Sequence, residues 1–302
     1  MGTHMMLLTG SSGLIGNSLI RFLQQNRIST VTLQRKGGTG LLWDPYAANP
    51  ISQAEALEGV SAVVHLSGAN VARRWTPAYK REILNSRVVP TRALATLLAG
   101  LRSPPAVLVC ASAIGIYGSR GDEVVTETSA PGSGFLPEVC LSWEAASQPA
   151  SDAGIRVVHL RFGVVLSPAG GALAKMLPAF RAGLGGRMGS GRQWMSWVAL
   201  PDVLRAILFA IETPSLSGPV NVVSPNPVTN LEFTHALGRV LGRPTLLAVP
   251  EFALRLVFGE MAAGTILESE RVMPDRLSAA GFRFEHQQLE AGLRAVLSPA
   301  GE

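Results

Sequence analysis

Hydrophobic positions in this chain switch repeatedly between two spacings. Short unbroken apolar runs are followed by segments in which apolar residues recur three and four positions apart. The first such switch is clear: Met5 to Leu8 form an apolar run, and Leu14, Ile15, Leu19, Phe22 and Leu23 then line one helix face. Residues 29–34, 41–43, 60–66, 106–111, 156–166 and 220–223 read as further strands. Residues 54–57, 77–98, 136–150 and 201–211 read as further helices. The 106–111 run is almost wholly apolar, as a central parallel strand covered on both faces should be. Alternation of this kind predicts an α/β fold on a doubly wound parallel sheet. From Thr229 onward the pattern is mostly helical, with Phe233, Leu237, Val240 and Leu241 on one face and Phe252, Leu254, Leu256, Val257 and Phe258 on another.

The first strand-to-helix junction carries the strongest chemistry. Its sequence is Leu7-Leu8-Thr9-Gly10-Ser11-Ser12-Gly13-Leu14-Ile15-Gly16, with glycines three apart. Glycine tolerates positive φ. Lacking a Cβ, it also lets backbone approach a pyrophosphate at a helix N-terminus, where free N–H groups and the helix dipole favour an anion. The motif opens the chain between a strand and a helix, where a Rossmann-type dinucleotide fold requires it. Gly10, Ser11, Ser12, Gly13, Leu14, Ile15 and Gly16 are therefore the first candidate cofactor contacts.

Composition narrows the classes. The chain has 302 residues, 47% of them hydrophobic and 16% charged, which suits a soluble globular protein with a generous core. The net charge of +5 is spread without a run of five or six cations, so no nucleic-acid groove is expected. No apolar run reaches the roughly 18 residues of a membrane span. Cys110 and Cys140 lie in apolar surroundings, predicting a reducing compartment without a disulfide framework. Gly2-Thr3-His4-Met5 reads as a tag remnant directly before the first strand, leaving no room for a signal peptide. The expected location is the cytoplasm. His159, His235 and His286 lack metal-ligand spacing, so no metal is expected.

Four further stretches carry a family resemblance. They are His65-Leu66-Ser67-Gly68-Ala69, Ser112-Ala113-Ile114-Gly115-Ile116-Tyr117-Gly118, Phe162-Gly163-Val164-Val165-Leu166 and the run 189–202 ending Trp197-Val198-Ala199-Leu200-Pro201-Asp202. With the opening glycine motif, their order resembles extended short-chain dehydrogenases/reductases. More narrowly, together with Leu42-Trp43-Asp44 and the Lys80-Arg81-Glu82-Ile83 run, they resemble the atypical epimerase-like branch that includes the human family 39U member. The resemblance implies a cofactor domain over residues 5–166 and 195–225, and a small, mostly helical C-terminal substrate lobe over 167–194 and 226–302. It also implies cofactor contacts at Leu66, Ser67 and Gly68 after the fourth strand, at Glu82 and Arg87 on the long helix, and at Val164 beside the nicotinamide. The bland alternative for Glu82 and Arg87 is a surface ion pair.

Cofactor selectivity is written at the end of the second strand. NAD-selecting sites usually place a carboxylate there for the ribose 2′-OH. Here the strand ends Leu33-Gln34-Arg35-Lys36, with no acid and two cations. A guanidinium can hold a 2′-phosphate through paired hydrogen bonds. NADP(H) is therefore expected, with Gln34, Arg35 and Lys36 at the adenosine end.

The catalytic pair of the superfamily is missing. Active relatives place Tyr and Lys four apart on a helix, so that the cation lowers the phenol pKa for proton exchange during hydride transfer. Aligning Ser142 with the serine that commonly precedes the lysine puts Val139 at the tyrosine position and Trp143 at the lysine position. Ser112 and Tyr117 remain as candidate proton-transfer groups. A register shifted by one would pair Cys140 with Glu144, although that carboxylate would raise the thiol pKa.

Glycines 170, 171, 183, 185, 186, 189 and 191, interleaved with Lys175, Arg181, Arg187 and Arg192, read either as a phosphate-closing segment or as a surface loop. Trp194 and Trp197 could stack on a planar group or fill core. Asp202 after Pro201 reads as helix-start chemistry. Two functions stay open: an oxidoreductase or epimerase acting on a small nucleotide- or sugar-like substrate that can carry phosphate, and a sensor that holds NADPH without turnover.

Overall fold

The computed structural model describes residues 5–35, 40–51 and 53–298. Seven parallel strands form the central sheet: β1 (Met5–Thr9), β2 (Ser29–Gln34), β3 (Leu41–Leu42), β4 (Ala62–His65), β5 (Val107–Ala113), β6 (Arg156–Phe162) and β7 (Gly218–Val222). Their order is β7-β6-β5-β4-β1-β2-β3. The direction of winding reverses between β1 and β4, the switch point at which doubly wound sheets open a ligand crevice beyond their strand ends.

The two-residue period of each strand supplies two cores. Leu8, Val64, Val109 and Leu160 face one side, where they meet α1 (Leu14–Gln25) and the helix Leu200–Glu212 through Leu19, Leu23, Val203 and Ile207. Leu7, Val63, Leu108 and Val157 face the other, against Leu94, Ala95 and Leu98 of α2 (Pro77–Ala99). Both faces are thus covered, as the apolar runs required. A third cluster joins Leu173, Leu177 and Phe180 to Trp197, Phe233, Leu237 and Leu293.

Three predicted elements differ by more than their ends. The 156–166 strand breaks at Gly163: β6 stays in the sheet, while Val164–Leu166 pairs with Trp197–Ala199. A Cβ on Gly163 would sit 2.5 Å from Ser196 O and 2.7 Å from Val223 Cγ1, so the crossing demands glycine. The 136–150 helix is two helices, α3 (Phe135–Ala145) and Gln148–Asp152, the second opening at Pro149. The glycine-rich 170–191 stretch is no loop throughout, because a helix, Gly171–Arg181, occupies its first half. Its apolar Leu173, Leu177 and Phe180 fill one buried stripe between the glycines.

Candidate functional site

The opening glycines make a cradle of backbone. Gly10 has φ +72°, and a Cβ there would lie 2.7 Å from the carbonyl of Leu66. A Cβ on Gly16 would lie 2.2 Å from Gly10 O. Strand end, helix start and the segment after β4 therefore meet at backbone distance. Gly13 caps α1 with no side-chain hydrogen bond, and no acid lies in the first turn. The leading N–H groups of α1 are left for an anion. Ser12 and Gly13 are exposed, and Ser11, Leu14 and Ile15 half-buried, so this rim faces solvent. Gly170 and Gly171 rest on Leu14, which brings the start of the Gly171–Arg181 helix to the cradle's edge. Lys175 of that helix donates to Ala72 O at 3.2 Å.

At the adenosine end, Gln34 closes β2 with Nε2 donating to Thr32 Oγ1 at 3.0 Å. Arg35 follows, exposed. Lys36 lies outside the described residues.

A buried polar chain runs beneath the crevice floor. Ser67 Oγ donates to Thr9 Oγ1 at 3.1 Å, and Thr9 Oγ1 meets His65 Nδ1 at 2.6 Å. His65 Nε2 meets Thr91 Oγ1 at 3.0 Å. Thr91 spends its hydroxyl proton on Arg87 O and accepts Trp143 Nε1–H at 3.0 Å. His65 must therefore donate from Nε2 and accept at Nδ1. Burial lowers its pKa to about 4, so the ring is neutral at pH 7. Long-range proton–nitrogen NMR should show the Nε2–H tautomer down to about pH 5; a cationic ring at pH 6 would refute this wiring.

The long-helix candidates separate. Arg87 turns inward, donating to Ile83 O and Ala69 O, each at 3.0 Å, while its guanidinium lies 5.0 Å from the Trp143 ring centroid. Gly68 packs on that guanidinium, 3.2 Å from where its Cβ would be. Glu82 is exposed and makes no ion pair with Arg87 among the described residues. Five helical steps rotate it about 140° away. The surface-pair reading is thus corrected: Arg87 packs on the segment after β4, and Glu82 faces solvent. Val164, half-buried after the Gly163 break, donates its N–H to Ser196 O at 2.9 Å, so that amide hydrogen is already used.

Val139 and Trp143 are both buried on α3. The two proton-transfer candidates are tied elsewhere. Ser112 is 3% exposed and donates to Glu144 Oε1 at 2.7 Å. Tyr117 has no exposed surface. Its hydroxyl donates to Asn221 Oδ1 at 2.8 Å and accepts from Arg161 Nη1 at 2.9 Å. Burial raises its pKa further. Tyr117 therefore braces the sheet end and offers no proton to a ligand. Arg161 grips both oxygens of Glu144 at 2.8 Å. Burial would raise the Glu144 pKa, but the Arg161 hydrogen bonds and charge hold it below the ordinary carboxylate value. Burial, reinforced by Glu144, pushes the Cys140 thiol up to about 12, which leaves it inert as a nucleophile.

Trp197 is fully buried with Nε1 donating to Asn226 O, so it fills core. Trp194 is half-buried, bonded to Asp122 and covered by Arg271 at 4.2 Å from its ring centroid. Asp202 exceeds a helix-start role: fully buried, it accepts from the backbone N–H of Glu285 and His286 and pins the C-terminal segment to the helix Leu200–Glu212. Sequence reasoning also missed Glu268 and Glu270, which no motif marks and which only the folded chain carries toward α3. No helix among the described residues is long and apolar enough to cross a membrane.

A glycine cradle at the reversal of a seven-stranded parallel sheet defines a doubly wound α/β protein of dinucleotide-binding type. Residues 6–223 match the model of the NAD dependent epimerase/dehydratase family, and residues 249–296 match a domain of unknown function, DUF1731. An epimerase family protein of Mycobacterium bovis is 45% identical over 97% of both chains. The human epimerase family protein SDR39U1 (isoform 2), solved with NADPH, superposes with a TM-score of 0.90 at 32% identity, covering 97% of this chain and 98% of that one. A nucleoside-diphosphate sugar epimerase from Corynebacterium glutamicum gives a TM-score of 0.80 at 36% identity, covering 98% of this chain and 58% of that one. The chain belongs to the NAD dependent epimerase/dehydratase family, in its atypical extended short-chain dehydrogenase/reductase branch.

Proposed function

We propose that this protein binds NADP(H) in the crevice at the β1–β4 reversal and uses it on a nucleotide- or sugar-like substrate. The carrying observation is the uncapped α1 N-terminus held against Gly10, Gly16 and Leu66 with no room for a Cβ. The fit extends along the crevice. Gly10 to Gly16 would hold the pyrophosphate, Leu66, Ser67 and Gly68 the adjoining ribose, and Gln34, Arg35 and Lys36 the 2′-phosphate end. When bound, the cofactor supplies or accepts a hydride. Arg87 stands as the fixed cation of the crevice wall, its charge held in place by two backbone carbonyls and the Trp143 face. The similar human protein was solved with NADPH, and the similar Corynebacterium protein is named for a nucleoside-diphosphate sugar; both support the reading.

Arg35→Ala tests the selectivity. A lost charge-assisted pair is worth about 1.5–3 kcal/mol, so NADPH affinity should fall roughly 10- to 100-fold. NADH affinity should stay unchanged. Equal binding of the two nucleotides by wild type would refute the assignment to NADP(H).

The buried Val139 and Trp143 favour a second reading, in which NADPH is held without turnover and lobe closure reports on it. The two readings share every cofactor contact. They part over whether the crevice holds any other group able to carry a proton.

A further inference from the structure

One segment presents such a group. Residues 268–272 run extended into a separate two-stranded sheet, in which Arg271–Val272 pairs with Val124–Val125. Side chains alternate along it. Ser269 and Arg271 share one side, Ser269 Oγ donating to Gly121 O and Arg271 lying over Trp194. Val272 points inward and packs with Cys140, Val223 and Ala113. By the same period, Glu268 and Glu270 share the side of Val272. The backbone is fixed there at three points. Glu270 N–H donates to Trp194 O, and Ser196 Oγ donates to Glu270 O while accepting Val272 N–H. Ser196 is also the residue whose carbonyl crowds Gly163 and accepts from Val164. Glu270 is thus tied through Ser196 to Gly163 and Val164 at the end of β6, within electrostatic reach of Cys140 on α3.

Glu270 Oε1 is sealed from solvent and has no hydrogen-bond partner. Nearby charges are spoken for. On its own segment, Arg271 is stacked on Trp194. On the adjoining loop, Arg120 grips Glu123, and Asp122 accepts from Trp194. On α3, the un-ionised Cys140 thiol feels both Glu270 and Arg87. The remaining neighbour is Glu268, a like charge.

We propose that Glu270 is the proton-donating acid of the crevice, taking the role that Val139 cannot fill, and that Glu268 links it to water. This rests on the NADP(H) reading above. Glu270 gives its carboxyl proton to a substrate carbonyl oxygen while the carbonyl carbon takes a hydride from reduced nicotinamide. A C–H and an O–H bond form, the carboxyl O–H bond breaks, the carbonyl is reduced to an alcohol and the dihydronicotinamide is oxidised. The carboxylate regains its proton from solvent through Glu268. Burial and the Glu268 charge raise the Glu270 pKa to about 8, and burial raises Glu268 to about 7, so a proton is available at neutral pH. Such a pair titrates as a unit.

The test uses Glu270→Gln, an isostere of the neutral acid. Infrared titration of wild type should show a carboxyl ionising near pH 8 that is missing from the variant. A raised acid binds its proton more tightly when folded, so ionising it costs stability from the ordinary carboxylate range up to about pH 8 and no further. The melting temperature of Glu270→Gln should therefore gain on wild type as pH rises through that window. NADPH-coupled reduction across a panel of carbonyl compounds should fall on the order of 100-fold or more, with NADPH affinity unchanged. No carboxyl titrating above the ordinary range, or reduction at the wild-type rate in Glu270→Gln, would overturn the proposal. Failure of wild type to bind NADPH would instead overturn the cofactor reading, while the infrared titration still reports whether Glu270 keeps its proton.

Discussion

Gly16→Ala should cost this protein its nucleotide site. The new methyl would start 2.2 Å from Gly10 O and 2.9 Å from both Gly10 C and Ser11 Cα, all of them backbone atoms. No rotamer relieves a Cβ clash, so the loop or the helix start must move. Overpacking of this kind costs about 1–3 kcal/mol in stability. The effect on binding is larger. The loop positions its N–H donors around one anion, and hydrogen bonds to charged groups are worth about 1.5–3 kcal/mol each. Losing one or two of them weakens NADPH binding by about 100-fold. Gly13→Ala makes the contrast, because its Cβ would meet only Gly10 O at an ordinary 3.4 Å.

The second large effect is on folding. Arg161→Met should destabilise the protein by about 3–5 kcal/mol, the usual cost of leaving one member of a buried ion pair alone. Arg161 is 7% exposed, bridges both Glu144 oxygens and also supports the Tyr117 hydroxyl. In the variant, Glu144 would keep a charge with only Ser112 to solvate it. Urea unfolding at pH 7 reads the loss. The sign of its pH dependence follows from Glu144. In wild type that carboxyl is held below its ordinary value, so its contribution is present at neutral pH and fades as pH falls through the lowered value. In the variant the carboxyl takes up its proton at higher pH, so the gap between the two proteins should narrow on acidification. Adding Glu144→Gln to Arg161→Met should recover part of the loss, whereas strictly additive losses would mean that the pair does not interact.

What the sequence disclosed was local, and what it concealed was long-range. The cradle was legible because Gly10, Gly13 and Gly16 answer to a turn and a helix start within seven residues. The strands were legible because burial on both faces leaves unbroken apolar runs. The end of β2 at Gln34 fell where the pattern put it. The break at Gly163 was hidden because its cause, Ser196 O, lies in a distant segment. Tyr117 looked available because Asn221 and Arg161, which occupy its hydroxyl, are 104 and 44 residues away. Glu82 and Arg87 looked alike by spacing, and only packing against Gly68 and Trp143 separates them. Glu270 carried no signal at all, since an acid in a polar stretch is ordinary until its surroundings are known.

Calorimetric titration of wild type and Gly16→Ala with NADPH decides whether the glycine cradle is the nucleotide site. Wild type should bind saturably and the variant at least ~100-fold more weakly, with cooperative unfolding retained in both. Equal affinities, or no binding by wild type, would contradict it.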